Sequence, residues 1–328
     1  MVTGENKACL NTHKYIVIGS LSQNIIAGSL QDLQLLDESF DTLRSSNYHL
    51  SLQISSFGLT ACILDLLTKK YLVFIHLSYE GADPSSVLRN LEKRISADPI
   101  LKLSYKSKSC AIVDDKATLI PDSLFDESKA NKFLQFNTVI NSNKVLKEEA
   151  DLSKSEDLID DQIKYDKLFI LGANNIYTLP IELKQLLKKH FGAIEVFHYS
   201  STLIETLLMM HKNKSTITLF VNFHASNFDL LLIENNSLKL YNSFCCSTKE
   251  DFVYYILFAC EQLNLNPEEI HIELLGELDS KSAYYQLLYK YIRNIQFSKR
   301  NDSFTYSYKF NELPSNYFYN LFSQFQCV

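Results

Sequence analysis

The stretch ITLFVNFHASNFDLLLIENNSLKLYNSF, residues 217–244, decides how the chain is read. Three apolar runs rich in Leu, Ile, Phe and Val are interrupted at His224-Ala225-Ser226-Asn227 and again at Asn235-Asn236, where turn-forming residues cluster. The pattern predicts three antiparallel strands. A helix follows, because Ser247 and Glu250 have capping-box spacing. Phe252, Ile256, Ala259 and Leu263 form its apolar stripe, which Val253, Leu257 and Cys260 widen. Pro267 ends the segment, and Ile270 to Leu275 predicts a short strand before Gly276.

The same order of elements recurs upstream. LSLQISSFGLTACILDLL, from Leu50, reads as strand, turn at Ser55 to Gly58, and strand, and YLVFIHL follows across Lys69-Lys70 as a third strand. Asp83 caps a helix with Pro84 at its first position and Val87, Leu88, Leu91 and Ile95 on its buried side. Cys110 to Val113 closes the unit as a strand, and Thr118 to Pro121 then leads into a helical turn at Asp122 to Phe125. Placing Gln53 against Asn222 brings Asp65 opposite Glu234. Residues 51–113 and 217–275 therefore read as a duplicated unit by pattern, with side-chain identity nearly absent.

Outside the two units, Lys14 to Gly19 predicts a short strand and residues 1–13 carry no pattern. Lys147 to Asp161 is strongly acidic and reads as a solvated loop, with an acidic interaction tail as the alternative. Leu168 to Leu171 predicts a strand, Pro180 to His190 a helix, Ile194 to His198 a strand and Ser201 to His211 a helix. Such a crossover requires parallel pairing somewhere in the sheet. Phe304 to Phe310 alternates like a half-exposed strand, and Ser315 to Phe325 predicts a helix after Pro314 that packs back on the body.

With 328 residues, 46% of them hydrophobic, the chain can fill two cores. A formal charge of −6 disfavours a nucleic-acid surface. The group Lys184, Lys188 and Lys189 reads as a solvated helix face. No apolar run approaches the roughly 18 residues of a membrane-spanning helix, and MVTGENKACLNTHK lacks a basic region followed by an apolar core. A cytoplasmic location without membrane insertion is expected. The seven cysteines lack paired metal-ligand spacing, and they read as free thiols in reducing surroundings. Cys245 and Cys246 are neighbours on a strand, so they point to opposite faces.

A duplicated meander with helix and strand, joined by a crossover, resembles the actin-like ATPase fold of sugar kinases, heat-shock chaperones, and bacterial division and pilus-assembly proteins. More closely, YHLSLQISSFGLTACILD at 48–65, TLIPDSLF at 118–125 and LKLYNSFCCSTKEDFVYYILFACEQLNLNPE at 238–268 resemble an uncharacterised bacterial family, a domain of unknown function with that fold. The crossover from Leu168 to Leu208 is similar in element order to the inter-lobe connection of pilus-assembly members. The resemblance implies an α/β, duplicated actin-like (ribonuclease H-like) fold with two lobes, each a mixed five-stranded sheet flanked by helices. The expected lobes are 14–198, with a variable acidic insert at about 128–165, and 199–328, with the C-terminal helix packing back on the first.

In active members of that superfamily the first strand of each repeat ends in Asp-x-Gly. The carboxylate organises magnesium or the attacking water, and the glycine lets backbone N–H groups approach phosphate. Here Gln53 and Asn222 stand at the aspartate positions and Ser55 and His224 at the glycine positions. Neutral amides cannot supply the negative charge that magnesium recruits. Gly58 and Gly276 remain, the latter near the place where the fold contacts adenosine. Asp229 and Glu277 are the nearest acids, and Ser56, Thr60 and Ser226 offer hydroxyls. His224 reads as a turn histidine rather than a catalytic base. Two functions stay open: a non-catalytic scaffold or assembly partner with a degenerate cleft, no cofactor and an unknown protein partner, or an atypical ATP- and magnesium-binding phosphotransferase using Asp229 or Glu277. The stretch Tyr241-Asn242-Ser243-Phe244 with Glu250-Asp251-Phe252 and Tyr254-Tyr255 reads either as a lock between strand and helix or as a partner-binding face.

Overall fold

The computed structural model describes residues 32–79, 81, 83–114, 116–137, 161–224 and 227–327. Its first sheet starts from the meander β2 (Tyr48–Ile54), β3 (Gly58–Asp65) and β4 (Lys70–Ser78), followed by α1 (Pro84–Ala97) and β5 (Ser107–Ile112). With β1 (Leu33–Leu36) on one side and β9 (Glu195–His198) on the other, the order is β1-β4-β3-β2-β5-β9. The short β15 (Thr305–Tyr306) also pairs with β4, giving seven strands where five were expected. The meander is antiparallel, whereas β2–β5 and β5–β9 are parallel.

The second sheet repeats this plan with β10 (Thr218–His224), β11 (Asn227–Glu234) and β12 (Ser237–Cys245), then α5 (Lys249–Gln262) and β13 (His271–Gly276). After α6 (Ala283–Leu288) comes β14 (Ile295–Phe297), and the order is β12-β11-β10-β13-β14. Asn235 and Asn236 take φ of 48° and 62°, the conformation a two-residue hairpin turn needs and asparagine tolerates. The match extends to irregularities. In the first sheet the β3–β4 register shifts between Ile63 and Leu64, and in the second the β11–β12 register shifts between Leu232 and Ile233. These are the same positions when Gln53 is placed on Asn222.

Alternation along the strands divides each sheet into two faces. Leu50, Leu52, Ile54, Leu59, Ala61 and Ile63 pack with Leu91 and Ile95 of α1 and with α3 (Ile181–Phe191). Leu219, Val221, Phe228 and Leu230 pack with Phe252 and Ile256 of α5. The opposite faces meet a central layer. On the second sheet that layer is α4 (Tyr199–His211), whose Leu203, Ile204, Leu207 and Leu208 cover Phe220, Leu231 and Leu275. On the first it is the C-terminal segment, where Phe310, Leu321 and Phe322 cover Cys62, Leu64, Tyr71 and Phe74.

Several expectations need correction. Of the expected strand at 168–171 only Leu168 is extended, as the last residue of β7 (Asp161–Leu168); residues 169–172 are the turn of a hairpin to β8 (Ala173–Pro180), closed by Gly172 at φ 68°. With β6 (Ala117–Pro121) these form a separate three-stranded sheet, order β6-β8-β7, packed under α2 (Ala130–Asn137). Only Thr305 and Tyr306 of Phe304–Phe310 extend as a strand, because Ser307 caps a 3-10 turn over Tyr308–Glu312. The closing helix is short, α7 (Tyr319–Ser323), since Phe318 adopts the left-handed φ of 55° and starts it late. The α5 cap is Thr248 with Asp251, one residue beyond the expected pair, because the Asp251 carboxylate takes the N–H groups of both Ser247 and Thr248. At α1 the Asp83 cap and Pro84 stand as read, and Ser86 completes the box. The predicted strand at 14–19 and the acidic loop at 147–160 lie outside the described residues.

Candidate functional site

A cleft of about 320 Å³ opens between the two sheets. Its walls follow from one repeated feature. In the first sheet Gln53, Thr60 and His76 are cross-strand neighbours, and in the second Asn222, Asp229 and Ser243 occupy the same rung. Both rungs lie on the faces turned toward the central layer, so the first sheet presents Gln53 and Thr60 while the second presents its polar set toward them.

The second rung is a closed network around a buried carboxylate. Asp229 is 1% exposed. Its Oδ2 accepts from Asn222 Nδ2 at 3.0 Å and from His224 Nε2 at 2.9 Å. Its Oδ1 accepts from the Tyr199 hydroxyl at 2.6 Å and the Ser243 hydroxyl at 2.5 Å, with the Tyr241 hydroxyl at 3.4 Å. Burial pushes the Asp229 carboxyl up, but the His224 donor and charge and the two hydroxyls outweigh it and hold the group below the usual carboxylate range. The same burial, together with the Asp229 charge, pushes the Tyr199 and Tyr241 phenols well up, so both act as neutral donors. Tyr199 also meets the edge of the His224 ring, centroids 5.3 Å apart.

The first sheet closes the corresponding turn differently. Ser55 Oγ accepts from the backbone N–H groups of Phe57 and Gly58, each at 3.2 Å, and the Tyr79 hydroxyl donates to the carbonyls of Ser55 and Gly58. Space at Gly58 is tight, since a Cβ would sit 3.0 Å from the Leu77 carbonyl oxygen. The Gln53 carboxamide keeps its Oε1 buried and without a hydrogen-bond partner.

Of the residues singled out from sequence, Gln53, Ser55, Ser56, Gly58, Thr60, His224 and Glu277 line the cleft. Asn222 and Asp229 are buried in the rung behind it, and Ser226 lies outside the described residues. Gly276, with φ 81°, closes the end of β13: a Cβ would lie 2.1 Å from the Phe223 carbonyl oxygen. Its turn is held by Asn316, whose Nδ2 donates to the carbonyls of Gly276 and Leu278 and whose own carbonyl accepts the Gly276 N–H. Sequence reasoning missed Tyr199, Asp114 and Phe318, which reach the cleft from the start of α4, the end of β5 and the C-terminal segment. The aromatic stretch near α5 divides. Phe244 stacks on Tyr255 and Phe228, locking β12 to α5, while Tyr254 and Phe258 stack on each other and stay exposed. Among the described residues no group of three or more His, Cys, Asp or Glu is placed to hold a metal ion, and no helix is long and apolar enough to cross a membrane.

The chain is a mixed α/β protein with the actin-like ATPase fold. A Bacteroides thetaiotaomicron protein described as having an actin-like ATPase fold and unknown function superposes with a TM-score of 0.70 at 21% identity, over 88% of this chain and 99% of that one. Weaker likenesses include the PilM-PilN type IV pilus biogenesis complex (TM-score 0.49, 10% identity, 85% and 98% of the two chains). Another is the ethanolamine utilization protein EutJ from Carboxydothermus hydrogenoformans (0.44, 5%, 80% and 87%). The chain belongs to the family described as Protein of unknown function (DUF3822), whose profile matches residues 37–295. No curated protein matches the sequence significantly.

Proposed function

We propose that the chain is a non-catalytic actin-like protein, a scaffold or assembly partner whose cleft no longer handles nucleotide. The observation that carries this reading is the engagement of the Asp229 carboxylate, whose two oxygens already receive Asn222, His224, Tyr199 and Ser243. A magnesium ligand must offer free carboxylate lone pairs, and a phosphate cradle must offer free N–H groups. Gln53 and Asn222 are neutral, and the Phe57 and Gly58 N–H groups are taken by Ser55. These residues do not fit a magnesium nucleotide. In this reading the two meanders descend from one duplicated unit, with 14–198 and 199–328 as the lobes. A cytoplasmic, reducing location is supported by six unpaired cysteines among the described residues, four of them buried.

The test is thermal unfolding with and without Mg-ATP, since any ligand of the native state raises Tm by mass action. No magnesium-dependent rise is expected. A clear rise that Asn222→Ala abolishes overturns the reading. The cleft itself, with Glu277 on its wall, favours a second reading as an atypical ATP-binding protein or phosphotransferase. That reading requires turnover that falls in Glu277→Gln or Asp229→Asn, and it is removed if millimolar nucleotide does not bind.

A further inference from the structure

The cleft has a sign and a lining that suit a different ligand. Its described lining carries two carboxylates, Asp114 and Glu277, two imidazoles, His76 and His224, the latter already paired with Asp229, and no lysine or arginine. Three aromatic rings, Phe57, Tyr199 and Phe318, stand on its walls. Carboxylates beside aromatic faces attract an organic cation twice over, through charge and through the ring quadrupole, and they repel a polyphosphate. Gln53, whose Oε1 is buried without a hydrogen-bond partner, adds a polar carboxamide to the lining. Phe57, which is 60% exposed at the rim, offers an apolar wall to an aliphatic stem, and about 320 Å³ suits one extended side chain.

We propose that the cleft receives a lysine or arginine side chain of a partner protein, its cationic head between Asp114 and Glu277 and its stem along Phe57. The proposal rests on the preceding reading, in that the cleft must be free of nucleotide to accept the side chain. The probes are the Nα-acetyl methylamides of lysine, arginine and norleucine, with spermidine and Mg-ATP in parallel, each followed by Tm and by the side-chain amide resonances of the isotope-labelled full chain. Lysine or arginine derivatives should raise Tm and shift the Gln53 amide signals, while norleucine, which keeps the stem and lacks the charge, should do neither. Glu277→Gln should weaken that binding by about tenfold, as expected for a lost charge-assisted contact, and Asp114→Asn should weaken it independently. Equal binding of norleucine, or no response to either cation at tens of millimolar, overturns the proposal. A response to spermidine alone overturns the assignment to a protein side chain. Binding of Mg-ATP overturns the preceding reading instead, whatever the amines do.

Discussion

Replacing Asp229 by asparagine changes one atom at the centre of the second rung, and the cost follows from the four donors within 3.0 Å of its oxygens. An amide has one oxygen, so it can face either Asn222 and His224 or the hydroxyls of Tyr199 and Ser243. The hydroxyls can turn and accept from an NH2 group, and the Asn222 carboxamide can flip to present its oxygen; the His224 N–H that donates to Asp229 cannot accept. The amide oxygen therefore faces Asn222 and His224, and all four contacts survive as neutral bonds. A charge-assisted bond is roughly twice as strong as a neutral one, a difference of about 1 kcal/mol per contact, partly offset because a neutral side chain is easier to bury. A net destabilisation of about 2–4 kcal/mol is expected at neutral pH. Urea denaturation of wild type and variant, with unchanged slope, measures it. Asp229 has its native pKa below the reference of 3.8, so its contribution is present above pH 3.8 and is lost as pH falls through the native value. The gap between the two proteins should close in that direction. A variant as stable as wild type, or more so, refutes the reasoning, because a carboxylate kept for chemistry is typically a site of sacrificed stability.

Gly276→Ala places a Cβ 2.1 Å from a backbone oxygen at a positive φ, so a loss of about 3 kcal/mol or more is expected from thermal melts, and more than for Gly192→Ala, which shares the positive φ but whose Cβ meets nothing within 4 Å. His49, sealed under the C-terminal segment, is pushed by burial down to about 4. Its stabilising share is complete above pH 6.5 and falls as pH drops toward 4, by about 3 kcal/mol in all. Burial pushes Asp166 up to about 6, which works in the opposite sense, so the His49 share is measured as the difference between the pH profiles of wild type and His49→Gln. Thr248→Ala removes the α5 cap and should cost about 1 kcal/mol in denaturant titration, with Ser247→Ala near neutral.

Where hydrophobic period and turn chemistry agreed, the sequence was readable. The two meanders, the Asp83 cap and the Asn235-Asn236 turn all combine a local signal with a face that must be buried. The hairpin at 161–180 was not readable, because β7 alternates Lys164 and Asp166 with Ile163 and Tyr165 before Lys167 breaks the pattern, and its apolar turn, with Phe169 79% exposed, mimics a buried strand. The Asp229 network shows a sharper limit. Counting back from the Asn235-Asn236 turn without interruption pairs Asp229 with Asn242. The register shift at Leu232 and Ile233 moves the partner to Ser243 and supplies the hydroxyl. Tyr199 comes from a helix 30 positions away, and no spacing rule connects it to the rung.

The C-terminal segment also fixes an order of assembly. The Tyr71 hydroxyl donates to the Phe322 carbonyl across 251 positions, and the Cys62 thiol to the Leu321 carbonyl across 259. During synthesis the first sheet can therefore form its meander early but must keep Leu64, Tyr71 and Phe74 uncovered until those residues arrive. At translation rates of about 5–20 residues per second, that interval lasts on the order of ten seconds or more. The nascent first half therefore carries an apolar sheet face open to water throughout that interval.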